Sequence, residues 1–126
     1  MKTTCNEREI VLILCQPEYR LSKVAIDYLE TKGKGLSLVI LMLEDADIKL
    51  FHGVKNRAFE VLETNIRENK TKEILIVARL DQDRYTKKEH LSFLEGSMRT
   101  LSSSFPHLII NGMSYNGATE KYYVYE

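Results

Sequence analysis

The chain has 126 residues, enough for one domain with a true core, and its 44% apolar and 29% charged content is ordinary for a globular protein. Lysine plus arginine and aspartate plus glutamate balance at 18 each, so no overall field draws the chain to nucleic acid or to an anionic membrane. Two cysteines, Cys5 and Cys15, make neither a disulfide framework nor a metal-ligand set. The apolar run behind the charged N-terminus is too short for a signal-peptide core or a membrane span, which points to a cytoplasmic protein.

In chain order, Ile10 to Cys15 is apolar without alternation, as a strand covered on both faces would be. Leu21, Val24, Ala25, Tyr28 and Leu29 follow helical spacing, ended by Gly33 and Gly35. Leu36 to Leu43 reads as a second buried strand. Residues 44–53 are ambiguous between a loop and a helix that Asp47 caps and Gly53 interrupts. Val54, Ala58, Val61, Leu62 and Ile66 are helical again, with Glu63 and Arg67 placed for an i,i+4 pair. Lys72 to Leu80 reads as the third strand.

Thr86 and Glu89 form a capping-box pattern ahead of the stripe Leu91, Leu94, Met98, Leu101 and Phe105, and Pro106 stops that helix. His107 to Tyr115 and Ala118 to Tyr125 flank Asn116-Gly117, a strong two-residue hairpin signal. Asn111-Gly112 is a second candidate turn or bulge. The order is βαβαβαββ. It predicts a three-layer α/β domain over residues 1–126, with a mostly parallel, flavodoxin-like or Rossmann-like sheet and a C-terminal antiparallel hairpin.

With that strand order, ligands bind outside the carboxyl ends of the first and third strands. The crevice candidates are Gln16, Glu18 and Arg20 in one loop and Asp81, Asp83 and Arg84 in the other. Glu44, Asp45 and the region of Asn111 are possible walls, and Lys23 and Lys88 possible sources of positive potential. Cys15 followed by Arg20 resembles a phosphatase-type loop, but the loop lacks glycine, Pro17 removes an N–H donor and Glu18 places a negative charge at the phosphate position. A core cysteine is the expected reading. No receiver-type acidic pair, glycine-rich dinucleotide loop or G-x-S-x-G elbow is present. His52, His90 and His107 lack metal-ligand spacing, and His90 is expected on the surface of its helix.

Asp81-x-Asp83 behind a buried strand resembles the second half of the Toprim arrangement of topoisomerases and primases. The glutamate that this family places at the end of the first strand is replaced here by Cys15 and Gln16. The resemblance implies Mg²⁺ held by Glu18, Asp81 and Asp83, with Arg20 or Arg84 steadying phosphate charge. Otherwise Asp81 and Asp83 are acidic residues near a helix start. The hairpin carries Tyr115, Tyr122, Tyr123 and Tyr125, with Tyr123 and Tyr125 on one face and Tyr122 and Val124 on the other. They are candidates for cross-strand packing or for an interface, the latter through a homodimer at the hairpin edge.

Every catalytic constellation is incomplete, so the reading leans against an enzyme. The expectation is a non-catalytic binding or regulatory module for a small or phosphorylated ligand or a protein partner, needing no cofactor and contacting no membrane, with no strong case for nucleic acid. The alternative is a divalent-metal-dependent phosphoryl-transfer or phosphodiester enzyme of degraded Toprim-like type.

Overall fold

A computed structural model describes residues 10–15, 18–33, 38–42, 57–81 and 84–126. Its elements are β1 (Ile10–Cys15), α1 (Tyr19–Thr31), β2 (Leu38–Met42), α2 (Arg57–Asn69), β3 (Thr71–Arg79), α3 (Lys87–Ser104), β4 (Ile109–Asn116) and β5 (Lys121–Tyr125). They form an α/β architecture around one sheet of order β2-β1-β3-β4-β5. The first four strands are parallel, and β5 is antiparallel to β4.

Alternation along β3 separates two cores. Ile74, Ile76 and Ala78 meet Leu12, Leu62 and Phe59 on the α2 side, with Leu94 and Leu101 of α3 and Phe105 just beyond its end closing the layer. Leu75 and Val77 turn the other way, toward Val11, Ile13, Leu21, Ala25 and Leu29 of β1 and α1. Because both faces of β1 and β3 are covered, their sequences show no polar alternation. The helices earn their places by stripe: Leu21, Ala25 and Leu29 are the buried line of α1, and Leu94 and Leu101 that of α3.

Thr86 caps α3 as its sequence predicts. Its hydroxyl accepts from the Glu89 N–H at 3.1 Å, and the Glu89 carboxylate accepts from the Thr86 N–H at 3.1 Å. That backbone contact, then the Thr86 hydroxyl, holds the Glu89 carboxyl below its ordinary range.

Four expectations need correction. Asn116-Gly117 is not a two-residue turn: Asn116 still pairs with Lys121, and residues 117–120 form the loop. Asn116 Oδ1 accepts from the N–H groups of Ala118 (2.9 Å) and Thr119 (3.3 Å), and the left-handed residue is Glu120, at φ 56°. Asn111 and Gly112 are neither turn nor bulge but lie in register within β4, opposite Leu75 and Ile76. A Cβ on Gly112 would stand 2.5 Å from Met98 Sδ, so the glycine lets α3 lie close on the sheet. His90 is buried, beside the rings of Tyr85 and Phe93. The Glu63–Arg67 ion pair is not among those formed by the described residues. The ambiguous 44–53 segment, with Glu44, Asp45, Asp47 and His52, lies outside the described residues, as does Cys5.

Candidate functional site

The strand order reverses between β1 and β3, and the carboxyl ends of these strands carry a compact charged cluster. Arg79, the last residue of β3, donates from Nε to Asp81 Oδ1 at 2.7 Å and from Nη2 to Asp81 Oδ2 at 3.1 Å. Its remaining terminal nitrogen, Nη1, donates to Glu18 Oε2. Glu18 stands at the N-cap position of α1 in extended conformation, yet its side chain makes no cap. The carboxylate reaches across to the guanidinium instead, so the start of α1 is tied to the end of β3.

Gly117 completes the enclosure. A Cβ there would lie 2.8 Å from Asp81 Oδ2 and 2.9 Å from Arg79 Nη2, so any larger residue would have to displace the ion pair. The Leu80 N–H donates to the Tyr115 carbonyl at 2.8 Å, which carries the β3–β4 pairing one step further and brings Gly117 in. The Arg79 guanidinium, then the Gly117 N–H, hold the Asp81 carboxyl down at about 2. The arginine is stabilised as a cation mainly by Asp81 and then by Glu18. The side chains are 20–27% exposed, so each partner is only partly screened.

Cys15 ends β1 beside this cluster and is fully buried. Burial, reinforced by the negative charge of Glu18, pushes its thiol up to about 11. It is a protonated core residue at neutral pH, in agreement with the sequence reading and unlike a nucleophilic thiolate.

The six crevice candidates therefore divide. Glu18 and Asp81 converge, Arg20 is exposed on α1, and Arg84 lies over the ring of Tyr85 at 5.6 Å. Gln16 and Asp83 lie outside the described residues. In the metal reading, Glu18 and Asp81 should face an open cation position. They face the Arg79 guanidinium, which takes both oxygens of Asp81 and one of Glu18. Among the described residues no group of three His, Cys, Asp or Glu side chains could hold a metal ion. Lys23 is paired with Asp27 at 3.1 Å on α1 and Lys88 is exposed on α3. Arg79 itself had no signal in the sequence beyond standing between a buried strand and an aspartate.

The second candidate region is the β5 edge. Tyr123 is 59% exposed, Tyr122 43% and Tyr125 37%. Tyr122 packs edge-on against Tyr28 of α1 at 6.1 Å, and the Tyr125 hydroxyl lies 3.0 Å from that of Ser114. Tyr115 is buried in the α1-side core opposite Tyr122, which removes it as an interface residue. Beside Tyr125 runs a groove of about 710 Å³ between α3 and the hairpin, with Leu91, Leu94, Met98 and Ile110 along it and Glu95 and Arg99 at its rim.

Comparison with protein-family models, curated proteins and solved structures finds no match for this chain. No helix among the described residues is long and apolar enough to cross a membrane.

Proposed function

We propose that this chain is a cytoplasmic, non-catalytic binding module of flavodoxin-like strand order, and that it self-associates through β5. The observation that carries this reading is the state of β5: an edge strand with no partner on its outer side among the described residues, bearing three exposed tyrosines. A free strand edge is a template for another strand, and tyrosine adds apolar area with a polar tip. A second copy is the occupant that brings an identical edge. A two-fold axis normal to the sheet pairs β5 antiparallel with its copy and leaves every residue on its own face, so the apolar grooves beside both Tyr125 side chains lie on one side of a continuous sheet.

The crevice gives no support to catalysis at the carboxyl ends of β1 and β3. Arg79, Glu18 and Asp81 satisfy one another, and the neighbouring thiol is protonated. Asp81 has both oxygens held by the guanidinium, and the Cys15 thiol is not a nucleophile near neutral pH.

Sedimentation velocity over a hundredfold range of concentration tests the proposal. The wild type is expected to sediment as a dimer and Tyr123→Lys, which places a charge on the edge, as a folded monomer. A wild type that stays monomeric throughout, or a dimer that survives Tyr123→Lys, contradicts it. Binding of an unrelated extended peptide along β5 by a monomeric wild type would assign the edge to a different partner.

A further inference from the structure

The opposite end of β3 carries a second, different arrangement. A recess of about 380 Å³ opens where α2 ends, β3 begins and the chain enters β4. Arg67 from α2, Lys70 from the turn, Lys72 from β3 and His107 before β4 surround it. Glu63 is the acidic residue on its wall, so three permanent cations and a histidine face one carboxylate in a chain whose net charge is zero. None of these five side chains makes an ion pair among the described residues. Ile66 and Phe105, both nearly buried, provide an apolar floor.

Two further features belong to the same place. Thr71 lines the recess, and its buried hydroxyl has no hydrogen-bond partner among the described residues. Buried hydroxyls are ordinarily paired, so this one brings to the recess a polar atom whose hydrogen-bonding capacity is not used among the described residues. Lys70 is left-handed, at φ 53°, directly after α2. Glycine or asparagine is the usual occupant of that position because a Cβ there is strained. The lysine there places a charged side chain at the recess in spite of that conformational cost.

We propose that this recess binds a small phosphorylated molecule of mononucleotide size, with the phosphate held by Lys70, Lys72 and Arg67 and an apolar or aromatic body resting over Ile66 and Phe105. Its volume falls within the range of small-ligand sites. Arginine and lysine are the side chains suited to phosphate, one as a planar fork and the other as a point charge. The site is independent of the β5 edge and of the Arg79 cluster.

The test is a set of ¹H–¹⁵N correlation titrations of the full chain with inorganic phosphate, adenosine 5′-monophosphate and a twelve-nucleotide single-stranded RNA. Saturable shifts are expected at residues 70–73 and 105–108, with the monophosphate binding more tightly than inorganic phosphate because it also covers the floor. Lys70→Gly is the decisive variant, since removing a strained Cβ should leave the melting temperature equal or higher. It should weaken monophosphate binding about tenfold, the effect of one lost charge-assisted contact. Absence of saturable shifts at these residues, or unchanged affinity in a folded Lys70→Gly, overturns the proposal. RNA binding a hundredfold tighter than the monophosphate also overturns it and makes the patch a nucleic-acid surface.

Discussion

The two ends of β3 handle charge in opposite ways. At the carboxyl end Arg79 is enclosed by Asp81, Glu18 and the backbone at Gly117, and its charge is answered inside the fold. At the amino end Lys70, Lys72 and Arg67 surround an open recess without ion pairs among the described residues. Position in an α/β sheet marks the carboxyl ends of strands as the usual binding face. Among the described residues, Arg79, Asp81 and Glu18 at that face tie α1, β3 and the hairpin loop together, whereas the cations at the other end make no ion pair. Placement by topology says where a site is common; partner accounting says which groups remain able to bind.

Mutations separate the two ends. The largest effect is expected for Gly117→Val, whose Cβ would meet Asp81 and Arg79 inside 3 Å, at a cost of about 2–4 kcal/mol. Wild-type stability in urea for that variant would show that the hairpin loop does not close on the cluster. Arg79→Met should cost about 2–3 kcal/mol at pH 7, because Glu18 and Asp81 then face each other unneutralised, less than a fully buried pair since the groups are partly exposed. The same variant opens a position between two carboxylates. A Mg²⁺-dependent rise in melting temperature is expected in Arg79→Met and not in the wild type; a rise in the wild type would restore the metal reading.

Acid should act through Asp81. Its carboxyl is held at about 2 in the folded protein against an ordinary value of 3.8, so the stabilisation is fully present above that ordinary value and is lost as pH falls from about 4 to about 2. After allowance for solvent screening this amounts to about 1–2 kcal/mol. Asp81→Asn, measured by urea unfolding across that window, should flatten the decline; an unchanged slope would separate Asp81 from the acid response. The smallest change is expected at the amino end, where Lys70→Gly should raise stability by about 0.5–1 kcal/mol by relieving the left-handed lysine. A loss of stability there would mean that Lys70 is structural.

Much of the fold was legible because its signals are local. The apolar runs of β1 and β3 and the reciprocal Thr86–Glu89 cap each declare themselves within a few residues. Apart from the Glu63–Arg67 pair, the corrections trace to contacts distant in sequence. Gly112 looked like a turn residue but lies within β4, where Met98 of α3 approaches it, and Gly117, which opens the 117–120 loop, also lies against Arg79 and Asp81. His90 looked exposed because its burial depends on rings elsewhere in space. At the crevice, Glu18 and Asp81 were found from strand order, whereas Arg79 was hidden because nothing local shows that it reaches residue 18. The basic recess draws on α2, β3 and the turn before β4, and no sequence spacing joins Arg67 to His107.

On the proposed self-association, β5 is an occupied edge in the working protein. Hydrogen exchange of the amides of residues 121–125, compared at low and high protein concentration, tests it most directly. Slower exchange of the outward-facing β5 amides at high concentration, with the amides of β3 unchanged, is the result predicted. Identical β5 exchange at both concentrations, in a protein shown by sedimentation to be monomeric throughout, would contradict it.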